Sequence, residues 1–315
     1  MAKKKNEKSG IEALVESGNL KKGSDEDFVV KKISFGIKPL DDLLGGGIPK
    51  KRVTIFQGPR SSGKSYLASQ LAKKVQEVGG QVVWIDSEMS YDREWVKQCG
   101  VNVENLYVVQ PESGEAAFNI LRAVLIAGVD LVVLDSIAGL APTSSMEEDF
   151  SHNPIAAQAR MVNQAFPRFF PHLKNGSALV MINQTRSALG PVSMDPMPGG
   201  VAQEFFSHII LSLRRQGWIE EEKVRVGFDI EVRCRKTKAG GKLEQACIIP
   251  FRMEGGIDLL ETTVREAINK KIIKQAGPWY RIEGMDKNFL GLNEVRDYLK
   301  TSGELLKAIE KEIWI

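Results

Sequence analysis

Cysteine and histidine are both scarce in this sequence, with three of each among its 315 residues. The cysteines, Cys99, Cys234 and Cys247, are odd in number, widely spaced and without a CxxC pair, which argues against a disulfide framework or a structural zinc site. The histidines show no metal-ligand spacing. We therefore expect a reduced, intracellular protein.

Long apolar runs are also missing. Stretches such as Leu131–Leu134 are too short to cross a bilayer, and the lysine-rich segment Met1–Gly10 lacks the apolar part of a secretory signal. These absences predict no membrane partner and a cytoplasmic location. The net charge of +3 is mild, so it permits a polyanionic partner without requiring one.

The sequence does contain a regular alternation of short β-branched runs with longer helical stretches. Such alternation predicts an α/β fold with a mostly parallel sheet that is covered on both faces. The predicted strands and helices are, in pairs, Val53–Phe56 with Lys64–Val78, Val82–Ile85 with Asp92–Gln98, Leu106–Val109 with Gly114–Ala127, and Leu131–Leu134 with Ile155–Leu173, followed by the strand Ala178–Ile182.

The rest of the chain has a different pattern. Ile209–Leu213, Phe228–Arg233 and Ala246–Ile249 have no long helices between them, so we expect an antiparallel extension at the sheet edge. Beyond a glycine pair, the helical stretches Leu259–Ile273 and Leu292–Ile313 flank a short β-like piece. They predict a small α+β C-terminal domain.

The most specific motif begins at Gly58 and ends at Ser65. It fits GxxxxGK[ST] and lies between a predicted strand and a predicted helix, as this motif requires. Backbone N–H groups of such a loop curl around phosphates, and the helix N-terminus adds positive potential. Lys64 would reach the terminal phosphates, and the Ser65 hydroxyl would ligate Mg²⁺. The residues of this predicted ATP site are Gly58, Pro59, Arg60, Ser61, Ser62, Gly63, Lys64 and Ser65.

Three polar residues follow other strands and should lie at the same rim, because ligands bind at the carboxyl ends of parallel strands. Asp135 would hold the magnesium shell, although a strand-ending aspartate taken alone is more often a helix cap. Glu88 would orient and deprotonate the attacking water. The alternative, that Glu88 is only a solvated acid in a loop, is equally favoured by the spacing. Gln184 would sense the γ-phosphate and pass its presence to the segment behind it.

Two irregular stretches, Thr143–Pro154 and Thr185–Pro198, begin beside this rim. Such stretches inside a compact domain are usually functional or disordered, and their place beside an ATP site suggests a ligand whose binding is gated by nucleotide. Basic side chains are concentrated at two later strand ends. They could form a phosphate-binding face or simply a solvated face, and the two interpretations are equally favoured. These side chains are Arg214, Arg215, Arg233, Arg235, Lys236 and Lys238, with few acids between them.

At this point the residues closely resemble the RecA recombinases. The resemblance covers nearly the whole chain from about Ile33, and Arg60 stands where many members have an acid. The matching motifs are the phosphate loop Gly58–Ser65, the catalytic-glutamate segment Ile85–Glu88, the magnesium-site strand Leu131–Ser136, the start of the second DNA loop at Met181–Gln184 and its end at Gly199 and Gly200.

The resemblance implies an α/β fold with a RecA-like P-loop ATPase core at residues 33–254. A short N-terminal polymerisation arm at 1–32 would precede it, and a small α+β domain at 255–315 would follow. It also implies DNA-stimulated ATP hydrolysis with Mg²⁺, helical filaments on single-stranded DNA, and strand exchange with double-stranded DNA. The two DNA-binding loops would lie at about 143–157 and 185–199.

The resemblance further assigns roles to single residues. Tyr66, Asp92 and Trp95 would help to bind ATP, although tyrosine is more usual at position 95. Lys236 and Lys238 would reach across to a neighbour's ATP, and Phe205 would contact another subunit. The implied contacts to single-stranded DNA are Ile155, Arg160, Asn163, Arg186, Ser187, Leu189, Gly199 and Gly200, and those to the incoming duplex are Arg214, Arg215, Arg233 and Arg235.

Some features depart from the family pattern. The second loop is slightly shorter than usual, and the end of the sequence lacks the acidic tail of many cellular members, which would fit a phage or otherwise compact relative. Two rival interpretations are a ring-forming helicase or signalling ATPase of the wider fold, and a non-catalytic mediator. The Lys236–Lys238 pair argues against the first, and the intact Lys64, Glu88 and Asp135 argue against the second.

Overall fold

The computed structural model describes residues 10–147, 154–185 and 199–314, and the chain divides into two compact units at Lys31 and Lys32. In the first unit, helix α1 spans Gly10–Glu16 and buries none of its residues. The side chain of Asp25 caps a short helical turn that follows. The role of this unit as a polymerisation arm stays a prediction.

The second unit contains all other helices and strands. Its helices are α2 Lys38–Leu43, α3 Lys64–Glu77, α4 Arg93–Gln98, α5 Gly114–Ala127, α6 Thr143–Glu147, α7 Pro154–Phe169, α8 Ala202–Phe206, α9 Leu259–Asn269, α10 Gly291–Thr301 and α11 Gly303–Ile313. Its strands are β1 Lys32–Ile33, β2 Ile48–Pro49, β3 Val53–Gly58, β4 Val82–Asp86, β5 Leu106–Val109, β6 Leu131–Asp135, β7 Ala178–Gln184, β8 Ile209–Glu221, β9 Val224–Thr237, β10 Ala246–Arg252, β11 Gly256–Ile257, β12 Ile273–Ala276, β13 Trp279–Ile282 and β14 Asn288–Leu290.

A nine-stranded sheet organises the unit, in the order β11-β10-β9-β8-β3-β7-β6-β4-β5. The strands from β8 to β5 in this order pair in parallel, whereas β8, β9, β10 and β11 pair antiparallel. The predicted α/β fold with a mostly parallel sheet and an antiparallel extension is therefore confirmed.

Helices cover both faces of the sheet. Successive strand residues point to opposite sides, so each face has an apolar core of its own. On one face, Phe56 of β3 packs with Leu67 and Leu71 of α3 in one apolar core. On the other face, Ile55 belongs to a second core that includes Phe166 of α7 and residues of α5. All five of these residues are fully buried, so α3 and α7 are held firmly on opposite faces of the sheet.

The C-terminal segment has a core of its own, built from α9, α10, α11 and the three-stranded sheet β12-β13-β14. Ion pairs connect it to the large sheet, including Arg265 to Asp229 at 2.8 Å and Arg252 to Asp258 at 2.6 Å. The helical stretch predicted from Leu259 to Ile273 is too long: the helix ends at Asn269, because the chain turns at Lys271 with φ of 64° before β12 starts.

The first predicted loop also differs from expectation at its start. Thr143–Glu147 is helical rather than irregular, since the carboxylate of Glu115 accepts hydrogen bonds from the backbone N–H and hydroxyl of Thr143, both at 2.9 Å. Residues 148–153 and 186–198 lie outside the described residues, and so do the predicted DNA contacts Arg186, Ser187 and Leu189. Within the described ranges, no helix is long and apolar enough to cross a membrane.

Candidate functional site

Four neighbouring strands, β3, β7, β6 and β4, end at one rim of the sheet. In their registers Gly58 lies opposite Gln184, and Asp86 lies opposite Asp135. The phosphate loop continues from Gly58 into α3, so its lysine and serine enter the same rim. The sheet order thus brings together the residues that the sequence had suggested for ATP binding and hydrolysis.

The phosphate loop holds its own lysine in place. The Lys64 ammonium donates hydrogen bonds to the carbonyl oxygens of Gly58 at 3.0 Å and Pro59 at 2.6 Å. Burial lowers the pKa of Lys64, while the charges of Asp135 and Glu88 oppose that shift. A buried ammonium whose partners are neutral carbonyls is well prepared to exchange them for phosphate oxygens, because charge-assisted hydrogen bonds are stronger.

Ser65 and Asp135 form the second part of the site. The Ser65 hydroxyl donates to the Asp135 carboxylate at 2.7 Å. Asp135 is only 7% exposed, and burial together with the charges of Glu88 and Asp86 raises its pKa to about 6, against the hydrogen bond from Ser65. A hydroxyl and a carboxylate side by side are hard oxygen ligands, which suit Mg²⁺.

The donor set also fits the way in which Mg²⁺ is usually held beside nucleotides. That ion takes one or two carboxylates together with phosphate oxygens rather than a cage made only of protein. Among residues 10–147, 154–185 and 199–314, no group of three or more His, Cys, Asp or Glu side chains could hold a metal by itself. The pair of Ser65 and Asp135 needs the phosphates of the substrate to complete such a site.

Glu88 is held at the rim by two donors. The Ser136 hydroxyl and the Gln184 amide nitrogen both donate to the same carboxylate oxygen, the latter at 2.6 Å. Arg60 in turn donates from Nε to the Gln184 carbonyl oxygen at 3.2 Å. Glu88 therefore occupies a defined position at the rim, rather than that of a solvated loop acid.

Asp86 and Ser136 are residues in contact with the site that sequence reasoning missed. Asp86 is fully buried and accepts hydrogen bonds from the backbone N–H groups of Ser90 and Tyr91, at 3.2 and 2.9 Å. These bonds fold the turn that follows β4, and this turn presents Glu88 to the site. The signal in the sequence was an acid at the end of a buried strand, two residues before Glu88.

A cavity of about 420 Å³ lies next to the phosphate loop. Tyr66 lines it, but its hydroxyl accepts from the backbone N–H of Ile257 at 3.1 Å and its ring packs edge-on against Phe251. Trp95 also lines the cavity and is 38% exposed. Asp92 caps helix α4 through hydrogen bonds to two backbone N–H groups. The contacts of Asp92 and Trp95 with ATP stay predictions.

Lys236, Lys238 and Phe205 meet at a different part of the surface. The Lys236 ammonium donates to the carbonyl oxygen of Glu204, and the Lys238 ammonium lies 6.0 Å from the centre of the Phe205 ring. The Phe205 side chain is 72% exposed. The exposed ring and the two cations together form a surface with both apolar and positively charged contacts to offer.

This cluster is far from the phosphate loop of the same chain. The backbone N–H of Lys238 bonds to the carbonyl of His208, whose own N–H bonds to the carbonyl of Val53, the first residue of β3. The phosphate loop follows Gly58, the last residue of that strand. At about 3.3 Å per residue, the two ends of β3 are roughly 17 Å apart. The structure does not bring the two lysines to their own ATP site.

The described candidates for single-stranded DNA contact lie on α7 and immediately before α8. Ile155 is in the first turn of α7, and Arg160 is exposed on the same helix beside a cavity of about 1070 Å³. The Asn163 side chain accepts from the backbone N–H of Ala202 at 3.1 Å. Gly199 and Gly200, with φ of 93° and 80°, lead into α8. Their contacts with DNA stay predictions.

The basic face on β8 and β9 carries more acid than expected. Glu231, 6% exposed, forms ion pairs with Arg214 at 2.9 Å and Arg233 at 3.3 Å. Arg235 pairs with Glu244 at 3.0 Å, and Arg215 lies 4.5 Å above the ring of Trp218. The expectation of few acids was wrong, because strand pairing places acids between residues that are separated in sequence. The role of this face in duplex binding stays a prediction.

A phosphate loop with a buried lysine, a strand-ending carboxylate beside a serine hydroxyl, and a glutamate held at the rim define a P-loop ATPase with a mostly parallel sheet. The family model for the RecA N-terminal domain matches residues 5–256. The chain belongs to the RecA family.

Curated relatives agree with this assignment. Protein RecA of Aquifex aeolicus (strain VF5) is 35% identical over 293 residues, which cover 91% of this chain and 84% of that protein. Protein RecA of Acholeplasma laidlawii (strain PG-8A) is 33% identical over 299 residues, with 93% and 90% covered. Protein RecA of Acinetobacter baumannii (strain AYE) is 32% identical over 289 residues, with 90% and 82% covered.

The predicted family and its general activity are therefore confirmed. The chain is an ATP-dependent recombinase of DNA recombination and repair, and it is a DNA-dependent ATPase. Proteins of this family use ATP, bind DNA and form filaments.

Proposed function

We propose that this recombinase binds ATP between neighbouring copies of the chain and uses it to control its grip on single-stranded DNA. One copy contributes Lys64 to the phosphates, Ser65 and Asp135 to Mg²⁺, and Glu88 to the attacking water. The metal would neutralise charge that develops on the transferred phosphoryl group. Two hydrogen bonds keep a carboxylate oxygen of Glu88 at the rim, which supports its role toward the attacking water.

The neighbouring copy contributes Lys236 and Lys238, which stabilise the negative charge on the γ-phosphate as an arginine finger does. The observation that carries this proposal is the position of the two lysines. They lie level with the start of β3, whereas the phosphate loop follows its end, so their charges can serve a nucleotide only on another copy. The exposed ring of Phe205 beside them offers an apolar contact to that copy.

The DNA-binding loops follow the site in the chain. Gln184 ends β7, and the backbone N–H of the next residue, Thr185, donates to the carbonyl of Gly58 at 3.1 Å. The root of the second loop is thus attached to the phosphate loop, which supports control of this loop by nucleotide. The two loops would hold single-stranded DNA by its phosphates, with Ile155 and Leu189 inserted between bases.

Pairing with a duplex would then be tested by Watson–Crick hydrogen bonds, so the protein reads backbone rather than sequence. Arg214, Arg215, Arg233 and Arg235 would hold the incoming duplex. The ion pair of Arg235 with Glu244 is exposed on both sides and worth little, so phosphates can compete for that arginine. We also propose a cytoplasmic location, on the strength of the bacterial relatives.

Electron microscopy of the purified protein with single-stranded DNA and a non-hydrolysable ATP analogue tests the proposal. We expect helical filaments with the analogue, and shorter or fewer filaments without nucleotide. Closed rings, or particles that are indifferent to DNA under every nucleotide condition, would contradict it.

A further inference from the structure

Arg60, Gln184 and Glu88 form a chain of side-chain hydrogen bonds across the nucleotide cavity. The arginine donates from Nε to the Gln184 carbonyl oxygen at 3.2 Å, and the Gln184 amide nitrogen donates to Glu88 at 2.6 Å. All three side chains line the same cavity. Arg60 and Gln184 are 124 positions apart in sequence, so only the fold joins them.

The chemistry of the two ends determines which way the amide points. An arginine can only donate and an ionised carboxylate can only accept. The Gln184 carbonyl oxygen must therefore face Arg60, and its amide nitrogen must face Glu88. An acid at position 60 would put acceptors at both ends, and the amide could then satisfy only one of them. The arginine is what makes this hydrogen-bond chain self-consistent.

We propose that Arg60 is a positioning residue, which orients the Gln184 amide and, through it, holds Glu88 and the start of the second DNA loop. This inference rests on the proposed roles of Glu88 and Gln184. In those roles Glu88 is the base and Gln184 is the sensor of the γ-phosphate. Arg60 adds a cation from the same chain. Arg60 belongs to the phosphate loop, so its hydrogen bond to Gln184 links this loop to the end of β7.

A double-mutant cycle tests the proposal. Arg60→Ala and Arg60→Lys are made in the natural chain and in a Gln184→Ala background, and ATP turnover is measured with and without single-stranded DNA. In the natural background we expect Arg60→Ala to lower kcat about tenfold with a smaller change in KM, the size of one charge-assisted hydrogen bond. Arg60→Lys, which keeps a cationic donor, should recover part of that loss.

In the Gln184→Ala background, Arg60→Ala should change kcat by less than about twofold, because the residue through which it acts is gone. The natural protein, Arg60→Ala, Gln184→Ala and the protein with both substitutions are also compared by their affinity for single-stranded DNA, with and without the non-hydrolysable analogue, which needs no turnover. We expect the gain in affinity caused by the analogue to be smaller for Arg60→Ala, with no further loss when Gln184→Ala is added.

Three results would overturn the inference: equal losses in both backgrounds, a change confined to KM, or no change in the natural background. Arg281→Ala is the control, since it removes an exposed arginine that is ion-paired to Asp286 in the C-terminal segment, and it should leave turnover unchanged. Normal turnover by Glu88→Gln and Gln184→Ala would instead refute the proposed function of those residues, so the two failures are distinguishable.

Discussion

The Ser65 hydroxyl donates a hydrogen bond to Asp135 at 2.7 Å, although the two residues are 70 positions apart in the sequence. The contact joins the first turn of α3 to the end of β6 and keeps the two magnesium ligands of the proposed site together. It also leaves a carboxylate buried beside Glu88 and Asp86, two further acids. Repulsion among these carboxylates is therefore an energetic penalty for the site, and a bound cation would relieve it.

That penalty predicts a pH-dependent effect of Asp135→Asn on stability. The pKa of Asp135 rises from 3.8 to about 6, so the folded state binds this proton more tightly than the unfolded state. Stability of the natural protein should then fall as pH rises from about 4 to about 6 and stay penalised above that range. Asp135→Asn should be more stable at pH 8 by about 1–3 kcal/mol, and the difference should vanish near pH 4.

Urea unfolding of nucleotide-free protein at several pH values measures this difference. Asp286→Asn, which removes an exposed acid, serves as the control and should show little change at any pH. If Asp135→Asn is the less stable protein at pH 8, the buried charge is not destabilising.

Lys64→Ala should abolish ATP turnover, with a loss of at least about a hundredfold in kcat/KM. The substitution removes a buried ammonium that otherwise exchanges backbone carbonyls for phosphates. A phosphate-release assay with saturating single-stranded DNA measures the effect, and Lys307→Ala on the exposed side of α11 is the control. Retained turnover would place the ATP site elsewhere.

Glu88→Gln should bind ATP yet stall its hydrolysis, because the amide cannot take a proton from the attacking water. The side chain keeps its shape and an acceptor oxygen for Ser136. We expect nucleotide affinity within about threefold of the natural protein and longer-lived filaments on single-stranded DNA. Fluorescent-nucleotide binding and filament lifetime measure the two effects, and normal turnover would exclude Glu88 as the base.

Mixing two inactive proteins should restore part of the activity if the site is shared. One protein carries Lys236→Ala and Lys238→Ala together, and the other carries Lys64→Ala. Some contacts in a mixed filament then join an intact phosphate loop to an intact lysine pair. ATP turnover is measured over a series of mixing ratios, with each protein alone as its own control. No recovery at any ratio would count against a site shared between copies.

Phe205→Ala should weaken assembly without unfolding the protein. The ring is 72% exposed, so its removal leaves no cavity in the monomer, and the melting temperature should stay within about 1 °C. We expect sedimentation with single-stranded DNA and the analogue to show shorter filaments. Trp279→Ala, another exposed aromatic at 49%, is the matched control. Unchanged filament length would remove Phe205 from the subunit contact.

Local sequence patterns were sufficient to predict much of the fold and of the candidate site. The alternation of strands and helices predicted the α/β fold, and the phosphate loop was recognised because its glycines, lysine and serine all lie within the short run Gly58–Ser65. Glu88, Asp135 and Gln184 could be placed at one rim, since the carboxyl ends of parallel strands lie on the same side of a sheet. Boundaries near Asn269 and Thr143 were missed, because they depend on a turn at Lys271 and on a side-chain contact from Glu115.

The sequence by itself thus determined which chemical groups are present and which strand ends carry them. Only the tertiary structure decided their partners: Asp86 shapes the turn that bears Glu88, Glu231 lies between two arginines, and Arg60 reaches Gln184. These contacts depend on the order and register of strands that are distant in the chain. No local periodicity encodes that order, because it results from how all the elements bury their apolar faces together.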